Sequence, residues 1–413
     1  MDTIKLYHED AYCRNFMATI LMVKAVDGTS DCWEVVLDRT AFYPESGGQP
    51  WDTGTLNNCP VMAVREKGGQ IVHTVNGHPG AGAVRGEIDW ERRFDHMQQH
   101  SGEHILSGVF LSQWGANNVG FHLGAVSSQI DLDLAGMDEM TAESVEQTAN
   151  RAVAANHPVT CQLVTEEELS GFTLRKELSK QVAQVRVVDM DGVDCCPCGG
   201  THVAFTGEVG PIKIRGWEKK KGGIRIDFVC GSRAVADYQD KHRSVGRLAV
   251  LLSVPPDQVV PAVQRQMEKT ETLQRELALL RHQMNQQLAE DLLRQRDSTA
   301  TFAVITHVVK APAGGELAEL ASLLTAKLPV VALLAGVQPD LDKTTLLFAA
   351  TNGLPVDMNA VLRAATAQID GKGGGTRWLA QGGGGCPEKI PEILVQTKNL
   401  LINGAVSHKP LGR

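Results

Sequence analysis

The hydrophobic pattern of the first 90 residues predicts a series of β-strands. The apolar and β-branched stretches are separated by turns that contain Gly, Asn and Pro, and they read "MATILMVKAV", "WEVVLD" and "GQIVHTV". Short strands at this spacing are typical of a small barrel. We therefore expect residues 1–92 to form an N-terminal β-barrel.

The next block, residues 93–250, mixes helical and strand patterns. Asp95, with Gln98 three residues later, has the signature of a helix N-cap, and the expected helix contains "HMQQHSGEHILSG". A second helix is expected in "TAESVEQTANRAVAAN", and strands in "SSQIDLDL", "AQVRVVDM", "PIKIRGW" and "GIRIDFV". Helices beside an antiparallel sheet define an α+β domain.

The composition changes near residue 256 to Gln, Glu, Arg and Leu, which predicts a long helix. Its apolar residues recur at spacings of three and four, namely Leu273, Leu277, Leu280, Met284, Leu288 and Leu292. Residues 251–299 are therefore expected to form a helical arm or coiled coil about 60 Å long. Strand and helix patterns then alternate through residues 300–413, as in a small α/β domain. The predicted class of the whole chain is α+β multidomain.

Composition narrows the functional classes. The chain has 413 residues, of which 43% are hydrophobic and 21% charged, so it should fold into compact domains. Its net charge of −8 excludes a uniformly basic nucleic-acid binder, so any contact with a polyanion must use a local patch. The nine cysteines lack a disulfide-scaffold spacing, and the apolar runs are too short to span a bilayer. We expect a cytoplasmic protein without a membrane association.

Three histidines, His96, His100 and His104, follow one another at intervals of four residues. On a helix they share one face, but the first and last lie roughly 12 Å apart, so one ion can accept only an adjacent pair. If Asp95 is the N-cap, His96 lies at the helix end, where side chains are poorly fixed. The deeper pair, His100 and His104, is therefore the expected pair of metal ligands.

A second group of metal-ligand residues lies in "DCCPCGGTHV", residues 194–203. A tight glycine turn allows Cys198 and His202 to face one ion, and with two helical imidazoles they form an N/S set that suits Zn²⁺. Cys195 and Cys198 also form a C-x-x-C pair. A zinc ribbon needs a second such pair, and a redox C-x-x-C precedes a helix, whereas a strand is predicted here.

"HSGEHILSG" followed far downstream by "CGGTHV" resembles the editing domain of alanyl-tRNA synthetases and the free-standing alanyl-tRNA editing proteins. The resemblance implies that His100, His104, Cys198 and His202 bind zinc, and it places His96 beside the site. Two roles of the metal remain possible at the level of sequence. With four protein ligands it is structural or orienting, whereas a loosely held ligand such as His202 would admit water.

The resemblance extends over most of the chain. "FYPESGGQPWDTG" is similar to the glycine-rich motif of the family, which implies substrate binding by Gly47, Gly48, Gln49 and Asp52. "GGGTRWLAQGGG" is similar to a C-terminal glycine-rich signature and suggests either RNA contact by Gly374 and Arg377 or a flexible turn. The basic stretch "KIRGWEKKKGGIRID" is either a solvated hairpin or a contact for the tRNA acceptor end; its candidate residues are Arg215, Lys219, Lys220, Lys221 and Arg225.

The activity implied by the resemblance is zinc-dependent hydrolysis, in trans, of Ser-tRNA(Ala) and Gly-tRNA(Ala). Alanine lies between glycine and serine in size, so a synthetic pocket cannot reject both and a second hydrolytic site is needed. The catalytic residue is not identified by sequence; the candidates for catalysis or for contact with the serine hydroxyl are Gln49, Thr201, His96 and His122. Because the chain opens at the editing-type barrel, we do not expect it to synthesise Ala-tRNA.

Two alternatives to this function remain at the level of sequence. One is a non-catalytic tRNA-binding or synthetase-associated module, and the other is a Ser-tRNA(Thr) deacylase, since threonyl-tRNA synthetases share the zinc motifs. The glycine-rich barrel motif and the C-terminal signature favour the alanine branch. The arm and the C-terminal domain are expected to strengthen tRNA capture, and the leucine stripe predicts either packing or a homodimer.

Overall fold

The computed structural model describes residues 2–26, 28, 31–176, 184–298, 301–312 and 314–403. The chain divides into two compact units, Met1–Leu251 and Leu252–Arg413. Both units combine helices with β-sheets, so the predicted α+β class is confirmed. The finer division at residues 92 and 299 stays a prediction.

The strands of the first 90 residues form a closed barrel. The elements are β1 Ile4–Lys5, α1 Leu6–Glu9, β2 Asn15–Ala25, β3 Cys32–Leu37, β4 Arg39–Thr40, β5 Gly54–Leu56, β6 Cys59–Lys67, β7 Gln70–Asn76 and β8 Ala83–Ile88. The strand order in the barrel is β2-β3-β7-β6-β5-β8, and β1 pairs in parallel with β4. Alternate apolar residues fill the barrel, among them Val35, Leu37, Val64, Ile71 and Val84. This alternation is the period of two that a strand with one buried face requires.

The central helix, α2, spans Trp90–Trp114 and begins earlier than the sequence pattern indicated. The N-cap is Asp89, whose carboxylate accepts a hydrogen bond from the Arg92 backbone N–H at 3.3 Å. The expected cap at Asp95 is therefore wrong. Asp95 lies within the helix, and its carboxylate instead pairs with Arg233 at 2.6 Å. His96 is consequently in the second turn and buried, not at a frayed end.

The strands in the rest of the first unit form two antiparallel sheets. The elements are β9 Asn118–Leu123, β10 Ser128–Leu132, α3 Glu139–Ala155, β11 Thr160–Thr165, α4 Glu166–Leu169, β12 Gln184–Asp189, β13 Cys195–Pro197, a 3₁₀ turn Thr206–Val209, β14 Ile212–Lys220, β15 Gly223–Cys230 and α5 Gly231–Leu252. The strand order is β14-β15-β10-β9 in the first sheet and β11-β12-β13 in the second. The apolar side of α2 packs against the first sheet through Met97, Ile105, Leu106 and Phe110. This buried core fixes the polar side of the same helix.

The second unit is built on a sheet in the order β16-β17-β18-β19-β21-β20, in which β17 and β18 are parallel. Its elements are α6 Val259–Arg294, β16 Asp297–Ser298, β17 Ala303–Lys310, α7 Glu316–Thr325, β18 Val330–Gln338, β19 Lys343–Ala350, α8 Met358–Thr366, β20 Lys372–Gly375, β21 Leu379–Gly384 and α9 Ile390–Ile402, with 3₁₀ turns at Pro256–Gln258, Pro339–Leu341, Ala367–Ile369 and Pro387–Lys389. The expected long helix is α6, about 54 Å in length.

The leucine stripe of α6 has two parts. Leu288 and Leu292 pack, beside Ala289, into the core that α7 and the sheet share. The other four members are exposed, namely Leu273, Leu277, Leu280 and Met284. The C-terminal end of the stripe thus packs in the core, and the remainder forms an exposed apolar surface. Helical structure also starts sooner than expected, because α5 precedes the predicted boundary near residue 256.

Candidate metal centre

The four predicted ligands lie together in the first unit. α2 supplies His100 and His104, and the turn after β13 supplies Cys198 and His202. One ligand atom from each residue lies within 4.8 Å of all the others. The Cys198 Sγ is 3.4 Å from Nε2 of His100 and 3.7 Å from Nε2 of His202. Three imidazoles and one thiol are a donor set that can hold a metal ion, and they fit Zn²⁺ in kind.

Glycine is required where the turn approaches the helix. A Cβ on Gly200 would lie 2.2 Å from Cε1 of His100, whereas a Cβ on Gly199 would meet nothing within 4 Å. The turn is also braced from outside, because Arg186 donates to the carbonyls of Cys198 at 2.8 Å and Gly200 at 3.0 Å. His8 contacts the Gly199 carbonyl at 3.1 Å. The backbone of the ligand turn is thus held in one conformation.

His100 is oriented by the barrel. Its Nδ1 lies 2.8 Å from Oε1 of Gln49, and Nε2 of Gln49 donates to Oγ1 of Thr201 at 2.9 Å. These two candidate catalytic residues, Gln49 and Thr201, are completely buried in this structure and support His100 from behind. Their position behind His100 indicates that they orient the ligand.

His104 is oriented by a buried ion pair that the sequence analysis missed. Its Nδ1 lies 2.7 Å from Oδ2 of Asp194, and Nε of Arg175 donates to Oδ1 of the same carboxylate at 2.6 Å. Burial alone would lower the pKa of His104, but the Glu103 charge and the hydrogen bond to Asp194 outweigh it and raise that pKa well above its ordinary value. The same carboxylates favour a metal cation on the other ring nitrogen.

Cys198 is prepared to act as a thiolate. Burial by itself raises the pKa of this thiol, but the imidazoles of His100 and His202 outweigh burial and hold the pKa well below its ordinary value. The Gly200 backbone N–H adds a hydrogen bond to Sγ at 3.4 Å. Because the thiolate is the form that binds metals, this environment supports Cys198 as a ligand.

A pocket of about 310 Å³ opens onto three of the four ligands, His100, His104 and Cys198. Glu103 also lines it; the residue is 4% exposed, and its Oε1 accepts hydrogen bonds from Ser107 and Asn118, both at 2.6 Å. The remaining lining residues are Gly47, Asn118, Val119, Gly120, Phe121, Arg175, Lys176, Cys196, Pro197 and Gly199. The pocket therefore combines a metal-ligand cluster, a fixed carboxylate and two cationic side chains.

Two further candidate catalytic residues do not line this pocket. His96 is buried on α2 outside the ligand cluster, and burial together with Arg92 and Arg233 lowers its pKa to about 3. His122 is exposed on β9. Because side chains alternate along a strand, Phe121 faces the ring of His100 and His122 points to the opposite side. His96 and His122 thus lie outside the lining of this pocket, and their catalytic role stays a prediction.

The glycine-rich motif divides between the pocket and the frame of the barrel. Gly47 lines the pocket, and Gly48 has a φ of +84° where a Cβ would lie 2.5 Å from the Phe121 carbonyl oxygen. Asp52 is fully buried and accepts hydrogen bonds from Nε of Arg93 at 3.0 Å and from the Tyr43 N–H at 2.6 Å. Its carboxylate ties the barrel to α2, and its substrate contact stays a prediction.

Most of the basic hairpin is paired internally. Asp131 forms ion pairs with Lys220 at 2.5 Å and Arg225 at 2.7 Å, and Arg215 lies 3.5 Å from Asp237. The other two lysines of the tip, Lys219 and Lys221, are exposed and form no ion pair within the described ranges. They are the hairpin cations best placed to contact an external anion.

The C-terminal glycine signature lies on the β20–β21 hairpin. Gly374 belongs to β20, and Arg377 follows in the turn, where its Nε donates to the Val356 carbonyl at 3.1 Å. The guanidinium carbon of Arg377 is 5.0 Å from the centre of the Trp378 ring. A Cβ on Gly375 would lie 2.3 Å from the Leu379 carbonyl oxygen. Part of the glycine run is therefore required by hairpin packing.

Within the described ranges, no helix is both long and apolar enough to cross a membrane.

Two family models match the chain and define its class. Residues 185–227, which contain the Cys198–His202 turn, match the second additional domain of threonyl- and alanyl-tRNA synthetases. Residues 5–92, which fold mainly as the barrel, match class II (A) tRNA synthetases. These two matched segments relate parts of the chain to class II (A) tRNA synthetases and to a domain that threonyl- and alanyl-tRNA synthetases share.

Full-length relatives identify the family. Alanyl-tRNA editing protein AlaX-L of Pyrococcus horikoshii is 32% identical over 92% of this chain and 94% of its own length. AlaX-M of Methanosarcina acetivorans is 39% identical over 54% of this chain and 97% of its own. The alanine–tRNA ligase of Thermococcus kodakarensis is 32% identical over 97% of this chain, which covers 44% of the ligase. The chain belongs to the alanyl-tRNA editing protein family.

Proposed function

We propose that this protein is a trans-acting aminoacyl-tRNA deacylase that hydrolyses Ser-tRNA(Ala) and Gly-tRNA(Ala). The observation that carries the proposal is the ligand cluster at the base of a pocket of about 310 Å³, in a member of the alanyl-tRNA editing family. A pocket of this size suits a small aminoacyl group attached to the terminal ribose. The enzyme would act where aminoacyl-tRNA is used, in the cytoplasm.

We propose that the metal is Zn²⁺, held by His100, His104, Cys198 and His202. When bound, zinc supplies Lewis-acid chemistry close to the ester. The chain's own residues hold the ligands in place, since Gln49 orients His100 and Asp194 orients His104. The rigid frame of α2 and the braced turn keep the pocket aligned with the cluster.

The groups that select serine over alanine must face the pocket, which Gln49, Thr201 and His122 do not. Glu103 does so, and the hydrogen bonds from Ser107 and Asn118 hold its Oε1 in place. A carboxylate fixed in this way can accept a hydrogen bond from the serine hydroxyl. Bound alanine would leave the same buried group without that partner, which costs about 1–3 kcal/mol and protects the correct product. Glycine lacks the hydroxyl as well, so this contact accounts for the preference for serine alone.

We propose that tRNA is held by cations around the pocket and at the hairpin tip. Lys176 lines the pocket, and Lys219 and Lys221 are exposed on the hairpin. Phosphate contacts of this kind position an RNA without recognising its sequence. Gly374 and Arg377 of the second unit remain the proposed contacts of the C-terminal hairpin, where the exposed side chain of Arg377 supports the role.

A deacylation panel tests the proposal. Zinc-loaded protein is incubated with Ser-, Gly- and Ala-tRNA(Ala) and with Ser-tRNA(Thr), and the decay of each ester is measured. We expect Ser-tRNA(Ala) to decay fastest and Gly-tRNA(Ala) more slowly, with Ala-tRNA(Ala) largely spared. Decay confined to tRNA(Thr) would reassign the substrate, and binding without decay would identify a non-catalytic module.

The role of Glu103 is tested by Glu103→Gln. We expect the ratio of kcat/KM for Ser- over Ala-tRNA(Ala) to fall by about tenfold, equivalent to about 1.4 kcal/mol, when both proteins are compared at full zinc loading verified by elemental analysis. Ser112→Ala, on the same helix and outside this pocket, is the matched control. An unchanged ratio in Glu103→Gln would exclude the carboxylate as the specificity group.

A further inference from the structure

The four ligands differ in how firmly the protein holds them. His100 is hydrogen-bonded through Nδ1 to Gln49 at 2.8 Å, and His104 through Nδ1 to Asp194 at 2.7 Å. Cys198 accepts the Gly200 N–H and lies in a turn braced by Arg186. Three ligands thus have a neighbour that fixes the orientation of the donor atom.

His202 has no such neighbour. Its ring is 3% exposed and its Nε2 faces Cys198, but Nδ1 is buried without a hydrogen-bond partner in the described part of the chain. A metal-bound histidine normally donates its second ring N–H to a carboxylate, carbonyl or water. Loss of that partner typically lowers metal affinity 10–100-fold. His202 therefore lacks the support that its two companion histidines have.

The unsupported ligand also lies apart from the substrate pocket. His100, His104 and Cys198 line that pocket, whereas His202 does not. A group of a substrate would thus reach the metal past the three firmly held ligands. Zinc in catalytic sites keeps three protein ligands and leaves a position for water or substrate. In this arrangement the three held ligands are those that a catalytic site would retain.

We propose that His202 is the weakest and exchangeable ligand of the set, and that it is the ligand that would be displaced if a group of the aminoacyl ester bound the metal from the pocket. The first part concerns the chain and its metal alone. The second part rests on the proposed deacylase function. The two parts are measured separately.

Zinc affinity tests the first part. The protein variants His202→Ala, His100→Ala and His104→Ala are loaded with zinc and titrated with a competing chelator, and circular dichroism verifies that each variant is folded. We expect His202→Ala to lower the affinity about tenfold and the other two to lower it at least 100-fold. Equal losses in all three would overturn the proposal. His202→Gln, which retains a neutral side chain of similar reach, provides the same comparison if the alanine variant does not fold.

Cobalt spectroscopy tests the second part without using catalysis. Co²⁺-loaded protein is titrated with 3′-seryl-amino-3′-deoxyadenosine, in which an amide replaces the labile ester. We expect the visible absorption of the wild type to change as the analogue saturates, and the change to be at least halved in His202→Ala. An analogue that binds without altering the wild-type spectrum, or alters both spectra equally, would refute exchange at His202. Ser-tRNA(Ala) hydrolysis by the same preparation reports independently on the proposed function.

Discussion

Asp194→Asn removes one charge from the support of His104 while keeping nearly the same side-chain shape. The wild-type carboxylate, whose side chain is fully buried, lies 2.7 Å from Nδ1 of His104 and 2.6 Å from Nε of Arg175. An amide can accept one of these hydrogen bonds but cannot match both donors with the same charge. Arg175 would then be left with Glu103, whose Oε1 is 3.7 Å away.

The expected effect on metal binding follows from the loss of this support. Removal of a carboxylate partner from a metal-bound histidine typically weakens metal affinity 10–100-fold, or about 1.4–2.7 kcal/mol. Loss of one partner from a buried ion pair also destabilises the fold by about 3–5 kcal/mol. We therefore expect Asp194→Asn to lower both the zinc affinity and the free energy of unfolding of the metal-free protein.

Chelator competition and urea unfolding measure these two quantities separately. The matched control is Asp191→Asn, the same substitution three residues away on a side chain that is 69% exposed and 3.5 Å from His157. We expect that control to change either quantity by less than about 0.5 kcal/mol. If Asp194→Asn retained wild-type zinc affinity while the unfolding measurement showed an intact fold, the argument that Asp194 supports the metal ligand would be refuted.

Four further predictions concern other parts of the protein. Gly200→Ala should abolish tight zinc binding because its Cβ would lie 2.2 Å from His100, whereas Gly199→Ala should retain it; equal zinc contents in the two proteins would contradict this. Lys219→Ala with Lys221→Ala should raise KM and reduce the dependence of tRNA binding on salt, and Lys213→Ala, already paired with Glu146, should have a smaller effect in filter-binding titrations. Burial lowers the pKa of His73 to about 4. The contribution of neutral His73 to the free energy of unfolding is therefore complete above pH 6.5 and is lost as the pH falls towards 4, by up to about 3 kcal/mol. His73→Gln should flatten that part of the plot of unfolding free energy, measured with urea, against pH. Truncation after residue 254 should raise KM for tRNA strongly and leave kcat nearly unchanged, and an unaltered KM would exclude a capture role for the second unit.

The four members of the His/Cys cluster could be predicted from the sequence because the patterns that bring them together are local. Two histidines one helical turn apart and a Cys/His pair on a glycine turn each restrict geometry within a few residues. The ligand cluster contains His100 and His104 and omits His96, as expected, but the reason offered for omitting His96 was wrong. Its exclusion does not come from a frayed helix end, since α2 begins at Trp90.

The hydrogen bonds that orient the clustered histidines could not be predicted, because they join residues that are far apart in sequence. Gln49 and His100 are separated by 51 residues, and His104 and Asp194 by 90. The prediction of the helix N-cap was wrong for the same reason, because Asp89 and Asp95 both have local patterns that suit an N-cap. Long-range pairing distinguishes them, since Arg233 engages Asp95 and leaves Asp89 to cap the helix. The ion pair between Asp52 and Arg93 could not be predicted for the same reason, since 41 residues separate the two.

The barrel helps to position the His/Cys cluster. Gln49 from the glycine-rich loop orients His100, and Asp52 fixes the buried Arg93 at the start of the ligand helix. His8 and Tyr12, which precede the first barrel strand, contact the Gly199 carbonyl and the Ala204 N–H on either side of His202. Because these contacts approach the ligand turn and helix from the barrel side, loss of barrel structure would remove the orientation of His100 even if every ligand were present. All of these supporting residues belong to the compact unit Met1–Leu251, so the cluster and its support fall within one unit of the chain.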